Sequence, residues 1–314
     1  MLRGMKSSLS RGYVEPYEEL LAGVEQKTVA ADDGTRIAYV VVGSGAQTIV
    51  LANGLGGRLY AWLPIIEAFR DRYRLITWDY RGLFDSGAPD TLTRMGVPEH
   101  AGDLRAILDA EGIDEAHLCG WSMGVQVNLE FALRHPERTR SLILINGTYG
   151  QALSTAFQPA VRLPLSPVML HGVLEAFMHA PRATEVLAKA ARAQASTAFW
   201  LRKRLVRGKR STFLLGLRQY VNDVTRTRHA NYLNLFQQID AHSVYHLLPE
   251  ISAPTLVISG ALDPLTPAYQ SRHMARRIPG AKHVSIALGT HFVVLERPRV
   301  VVRALEEHLR AVDA

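Results

Sequence analysis

Short runs rich in β-branched and aromatic residues alternate along this chain with amphipathic stretches, and the alternation is regular at both ends. From residue 28 to 42 two β-rich runs flank Asp32-Asp33-Gly34, good chemistry for a hairpin turn. A further run, 48–52, is apolar throughout, as a strand covered on both faces of a sheet must be. Strand-length runs recur at 74–78, 117–119, 141–145, 255–259 and 283–287. Between them, helical spacing appears at 60–69, 98–111, 125–134, 269–277 and 299–309, with Pro98 in a first turn and Gly112 closing the second of these. Strands alternating with helices at this spacing predict a mostly parallel central sheet flanked by helices.

The rhythm breaks from 149 to 249. No strand pattern occurs there, and helical runs are cut by Pro159, Pro164, Pro167 and Pro181. The expected organisation is an α/β core formed by 24–148 and 250–314, an inserted helical cap (lid) at 149–249, and a polar N-terminal extension at 1–23.

Composition narrows the class. In 314 residues, 47% are hydrophobic and 21% charged, ordinary for a soluble globular enzyme. The net charge of +7 comes without a basic tail or aromatic-basic repeat, which argues against a nucleic-acid partner. The single cysteine, Cys119, cannot form an internal disulfide and reads as a small buried hydrophobe. Arg3, Lys6 and Arg11 resemble the charged start of a signal peptide, but Pro16, Glu18 and Glu19 interrupt the apolar stretch that a signal would need next. With no window approaching the ~18 apolar residues of a membrane span, a soluble, cytoplasmic protein is expected.

The chemistry centres on Gly120-Trp121-Ser122-Met123-Gly124, which closes the run His117-Leu118-Cys119 and opens the helical stretch from Val125. A G-x-S-x-G pentapeptide arises by chance roughly 0.1 times in a chain of this composition, so its context decides. Strand, tight turn and helix would force the serine into a strained backbone conformation, with glycines where a β-carbon would collide. The Met123 amide would then open a helix beside the hydroxyl, where an anion is favoured. A serine needs a base, and the base needs an acid to orient it. Asp263 follows the strand ending at 259, and His291 follows the strand ending at 287; in a parallel sheet such loops share one edge. Asp240 and Asp85 are reserve acids, and His283, at the start of a strand, is the nearest rival base. Leu55, in Asn53-Gly54-Leu55-Gly56-Gly57, is placed to offer a second oxyanion amide beside that of Met123.

On these residues the chain resembles the α/β-hydrolase superfamily: Ser122, Asp263 and His291 stand in its triad order, and G-W-S-M-G is its nucleophile elbow. The resemblance implies the α/β-hydrolase fold and a carboxylesterase- or lipase-type serine hydrolase acting through an acyl-enzyme. Catalytic Ser122, Asp263 and His291, an oxyanion hole of Leu55 and Met123, and no metal or organic cofactor go with it. Two departures stand out. Asn53-Gly54 replaces the usual His-Gly, and Phe84 replaces a usual glycine, where it would narrow the mouth of the site. Asn53, Gly54, Trp121 and Phe84 are the candidate substrate-binding residues. Serine at 122 argues against haloalkane dehalogenases and epoxide hydrolases, which place aspartate there. Carbon-carbon bond hydrolysis, a cofactor-free haloperoxidase or perhydrolase activity, and a non-catalytic ligand-binding protein stay open as alternatives. The cap, rich in Leu, Ala, Phe and Met, implies a small-molecule ester with an apolar acyl or alcohol group. Its basic run, Arg202-Lys203-Arg204 with Arg207, Lys209 and Arg210, follows Phe199-Trp200-Leu201; it reads as a solvated face, or as a weak peripheral membrane contact. Neither oligomeric state nor physiological substrate is legible.

Overall fold

The computed structural model describes residues 24–155 and 212–314, with 172, 175–177, 180 and 182–190 between them. Eight strands form one sheet: β1 (Val24–Ala30), β2 (Arg36–Val42), β3 (Gln47–Ala52), β4 (Tyr73–Trp78), β5 (Ala116–Trp121), β6 (Thr139–Ile145), β7 (Thr255–Gly260) and β8 (Lys282–Ile286). Their spatial order is β1-β2-β4-β3-β5-β6-β7-β8. The β1–β2 and β2–β4 pairs are antiparallel, and every later pair is parallel. Asp32-Asp33-Gly34 does turn the hairpin. The Ala31 amide donates to the Thr35 carbonyl (2.9 Å), the Thr35 amide donates to Asp33 Oδ1 (3.0 Å), and Gly34 takes φ 78°.

The parallel strands alternate residue by residue between two apolar clusters. Val50, Leu118, Leu142, Leu144 and Val257 pack on one side; Ile49, Leu51, Cys119, Ile143, Ile145, Leu256 and Ile258 pack on the other. Helices α1 (Leu63–Phe69), α2 (Val97–Ala110) and α3 (Met123–Arg134) precede the segment between β6 and β7. Within that segment come α4 (Thr212–Val224) and α5 (His229–Ala241), and after it α6 (Ala268–Arg277) and α7 (Pro298–Asp313). The first face is covered by Leu104 and Ile107 of α2, Val125, Leu129 and Phe131 of α3, and Met274 of α6. The second is covered by Ile65, Ile66 and Phe69 of α1 and Val301, Leu305 and Leu309 of α7. Strands buried on both faces explain why their sequence lacks a polar side.

The 60–69 helix begins later than its spacing suggests. Leu59–Trp62 is a 3₁₀ turn, and the α-helix starts at Leu63 with Pro64 in its first turn. Proline has no N–H to continue a ladder backwards, so the chain enters the helix there. Where β6 leaves and β7 approaches, Gly150 and Ser243 form an isolated bridge that draws the ends of the intervening segment together. The basic run at 202–210 lies outside the described residues. Among the described residues no helix is long and apolar enough to cross a membrane.

Strand order locates the working edge. The connection from β3 leads to α1 on one face of the sheet, and that from β5 to α3 on the other, although β3 and β5 are neighbours. Loops diverging from adjacent parallel strands leave a crevice at their carboxyl ends, where ligands bind in open α/β sheets.

Candidate active site

Ser122 sits in that crevice between β5 and α3. Its backbone takes φ 56° and ψ −116°, a conformation that costs a non-glycine residue about 1–3 kcal/mol. The flanking glycines make the turn feasible. A β-carbon on Gly124 would lie 2.0 Å from the Ala52 carbonyl oxygen, and one on Gly120 would lie 2.4 Å from that of Gly124. Helix α3 therefore starts directly against the end of β3, with the Met123 amide in its first turn beside the loop that begins at Asn53. Among the described residues neither the Met123 nor the Leu55 amide donates to a protein acceptor.

The structure brings Ser122, His291 and Asp263 together from three loops. The Ser122 hydroxyl lies 3.0 Å from His291 Nε2, and His291 Nδ1 lies 2.8 Å from Asp263 Oδ2. With the carboxylate as acceptor, Nδ1 carries the proton and Nε2 is free to accept from the serine. Asp263 is fixed in turn. Its Oδ1 accepts from the Leu265 amide (2.9 Å) and the Thr266 amide (3.0 Å), and its Oδ2 from the Thr266 hydroxyl (2.7 Å). His291 is 7% and Asp263 5% exposed, so the pair works away from bulk solvent. Ser122 is partly exposed and open to attack a carbonyl.

The histidine loop is held from three sides. The Trp121 indole N–H donates to the His291 carbonyl at 2.8 Å. Asn146, at the end of β6 with φ 43°, donates to the Thr290 carbonyl (2.6 Å) and accepts from the Gly260 amide (2.7 Å). Glu296 accepts from the Thr290 amide (2.7 Å) and hydroxyl (2.6 Å). Asn146 left a sequence signal, since Asn146-Gly147 follows an apolar strand, and so did Thr266, which fixes Asp263 from three residues on, a local capping spacing. Glu296 left none.

Several expectations change here. The Asn53 side chain is turned into the protein. It is 1% exposed, its amide donates to the Trp78 carbonyl (2.6 Å), and its Oδ1 accepts from the Trp62 indole (2.7 Å). It therefore ties β4 and the 3₁₀ turn ending at Trp62 to the start of the glycine-rich loop. Gly54 is buried against the Trp121 ring. Trp121, 4% exposed, braces His291 and also packs on Phe292, with ring centroids 5.5 Å apart. Phe84 takes φ 50°, which a glycine would adopt freely, and its ring lies 4.8 Å from the Arg58 guanidinium. Arg58 also chelates Asp79 (2.9 and 2.6 Å) and reaches Asp85 (2.6 Å), so Asp85 is committed to an ion pair rather than to His291. His283 is engaged elsewhere, 2.9 Å from Ser259 Oγ. Among the described residues no cluster of three or more His, Cys, Asp or Glu is arranged to hold a metal ion.

A family model described as "alpha/beta hydrolase fold" matches residues 47–298, most of the chain. The chain belongs to that family. It is a hydrolase of this fold, with the sheet, elbow and loop order already described. Among curated relatives it is 29% identical over 261 residues to a protein from Azorhizobium caulinodans named "Putative carbamate hydrolase RutD", covering 81% of this chain and 87% of that one. A Stutzerimonas stutzeri protein of the same name is 29% identical over 273 residues, covering 84% and 92%. Among solved structures, the enol-lactonase of Burkholderia xenovorans superposes with a TM-score of 0.68 at 24% identity, covering 90% of this chain and all of that one. A thermophilic esterase from Thermogutta terrifontis superposes with a TM-score of 0.70 at 22% identity, covering 92% and 100%. At that identity the structural likeness bears on the fold alone.

Proposed function

We propose that this hydrolase cleaves carboxylic esters through an acyl-enzyme formed on Ser122. The observation that carries the reading is the unbroken contact from Ser122 Oγ through the His291 ring to Asp263, at 3.0 and 2.8 Å, on a strained elbow. His291 Nε2 takes the serine proton as Oγ attacks the ester carbonyl, and the amides of Met123 and Leu55 receive the charge on the carbonyl oxygen. The tetrahedral intermediate collapses, the C–O bond to the alcohol breaks, and His291 returns the proton to the leaving oxygen. A water deprotonated by the same nitrogen then attacks the acyl carbon and frees the acid, while Asp263 keeps Nδ1 protonated throughout. Residues 149–249 serve as a cap that sets substrate choice in favour of an apolar acyl or alcohol group.

A fluorophosphonate tests the nucleophile. Wild type should be labelled stoichiometrically and Ser122→Ala not at all; labelling of another residue would overturn the assignment. An acyl-chain series of nitrophenyl esters tests the cap, and a flat profile or a preference for charged acids counts against it. The name shared by the curated relatives favours a second reading, carbamate hydrolysis, in which the same residues would expel the alcohol of a carbamate ester, protonated by His291, and leave a carbamoyl group on Ser122 for water to release. Comparing kcat/KM for an ester and the carbamate of the same alcohol and acyl size ranks the two, and turnover of a diketone but neither of them would favour carbon-carbon cleavage.

A further inference from the structure

The loop that supplies the Leu55 amide is gripped from the segment between β6 and β7. Its Gly57 amide donates to the Gly54 carbonyl at 2.8 Å, and Gly56 takes φ 78°. This is a type II turn with Leu55 and Gly56 at its centre, and the glycine is required by the left-handed second position. The central peptide of such a turn can flip to the type I form, which reverses the Leu55 carbonyl. Here that carbonyl accepts a hydrogen bond from the Tyr220 hydroxyl of α4 at 3.0 Å. The Tyr220 oxygen lies 3.3 Å from the Tyr232 hydroxyl of α5. Each phenol has one proton, and Tyr220 spends its own on Leu55, so Tyr232 donates to Tyr220. Burial pushes both phenols above their ordinary value of 10, which keeps both protons in place.

Packing reinforces the chain of bonds. A β-carbon at Gly56 would fall 2.5 Å from Val224 Cγ2 and 2.9 Å from Tyr232 Cε2, so α4 and α5 close directly on the turn. The Tyr220 ring meets Trp121 edge-on at 6.5 Å and Phe292 at 5.4 Å. Those two residues adjoin Ser122 and His291. One side chain thus touches the neighbours of the nucleophile and of the base, and the oxyanion turn itself.

We infer that Tyr220 is a positioning residue, backed by Tyr232, that anchors the Gly54–Gly57 turn through the Leu55 carbonyl and so fixes the place of the neighbouring Leu55 amide beside the oxyanion. The inference rests on the acyl-transfer reading and adds to it that the inserted segment sets the rate of turnover as well as the shape of the pocket. The Leu55 N–H lies in the preceding Gly54–Leu55 peptide, which such a flip does not reverse; without the phenol the turn, with three glycines in five residues, loses its tether to α4 and the loop carrying that donor shifts from its place.

Tyr220→Phe keeps the ring contacts and deletes the proton. Loss of a whole oxyanion donor costs about 10²–10³ in kcat, so partial misplacement is expected to lower kcat for a nitrophenyl ester about 10-fold. KM should change much less. Affinity for a trifluoromethyl ketone, which becomes an oxyanion on binding, should fall by the factor lost from kcat, while affinity for the product acid holds. Tyr232→Phe should act in the same direction and more weakly. Wild-type kcat and ketone affinity in Tyr220→Phe would overturn the inference, as would an equal loss of product affinity. Failure of fluorophosphonate to label wild-type Ser122 would instead reject acyl transfer itself.

Discussion

Asn146 offers a test of how the histidine loop is held. It ends β6 at φ 43°, and its side chain bridges the Gly260 amide of β7 and the Thr290 carbonyl beside His291, at 2.7 and 2.6 Å. Asparagine tolerates the left-handed region, whereas alanine there costs about 1–2 kcal/mol. Either alanine or glycine also strands two polar backbone groups, each worth about 1–3 kcal/mol when left unpaired. Asn146→Gly should therefore lose about 2–6 kcal/mol, the lower end applying where water reaches the partly buried Thr290 carbonyl, and Asn146→Ala about 1 kcal/mol more. The order matters more than the absolute figures, because glycine normally destabilises relative to alanine. Urea unfolding tracked by circular dichroism and by activity gives both numbers. Activity should vanish at lower urea than secondary structure in both variants, since the loop carrying His291 loosens first. An alanine variant more stable than the glycine variant, or either within 0.5 kcal/mol of wild type, would refute the account.

Individual contacts lead to three further outcomes. Asp263→Asn places an amide donor opposite His291 Nδ1, drives the ring proton to Nε2, and should lower ester kcat by roughly 10³–10⁴; a loss below tenfold would show that Asp263 does not set the tautomer. Burial, followed by the nearby His117 and Lys282, pushes His308 down to about 4 from 6.5. The folded state therefore prefers the neutral ring, and this contribution to stability is complete above pH 6.5 and is lost as pH falls to about 4, at up to about 1.4 kcal/mol per pH unit. Urea midpoints of His308→Gln should show a shallower acid slope than wild type, and equal slopes would contradict the assignment. Burial raises Asp223 to about 6 from 3.8, and its Oδ2 has no partner among the described residues. Since the folded state binds that proton more tightly, wild type loses stability as pH rises from 4 to 6; Asp223→Asn should gain melting temperature relative to wild type at pH 8 but not at pH 4, and no pH dependence of the difference would count against it.

The core was legible because its strands are buried twice over, which leaves apolar runs such as 48–52 with nothing polar to confuse their period. The elbow was legible because steric necessity writes glycine at 120 and 124 whatever the rest of the chain does. Asp263 and His291 could be chosen because strand ends share an edge. Residues whose role is to brace other residues left much weaker traces. Trp121 and Asn53 have side chains that could equally face a ligand or a neighbouring backbone, and only the fold shows their polar atoms on the His291 and Trp78 carbonyls. Tyr220 was illegible for a different reason. Its partner lies 165 residues away, and amphipathic helix spacing does not say which loop the helix covers.

A second serine, histidine and aspartate meet at the opposite end of the sheet, and the contrast shows what proximity alone is worth. Ser141 Oγ lies 2.8 Å from His117 Nδ1, and His117 Nε2 lies 3.3 Å from Asp313 Oδ1. His117 and Ser141 are wholly buried and paired on adjacent parallel strands, just past a register shift between Ala116 and His117. Ser141 has no positive φ, no helix begins beside it, and the next amide, that of Leu142, is spent on the Pro254 carbonyl (2.9 Å), so no helix N-terminus waits for an oxyanion there. Asp313 is a clamp instead. It also accepts from Tyr73 (2.9 Å), Arg140 (2.9 Å) and Gln47 (3.0 Å), fastening the last turn of α7 to the sheet. Ser141→Ala should leave one buried His117 nitrogen unpaired and cost about 1–3 kcal/mol of stability. Its kcat at a temperature where it stays folded should remain within twofold of wild type, under conditions in which Ser122→Ala has no measurable turnover. Equal loss of turnover in both would mean that strain, exposure and waiting amides are not what separates a nucleophile from a structural hydroxyl in this sheet.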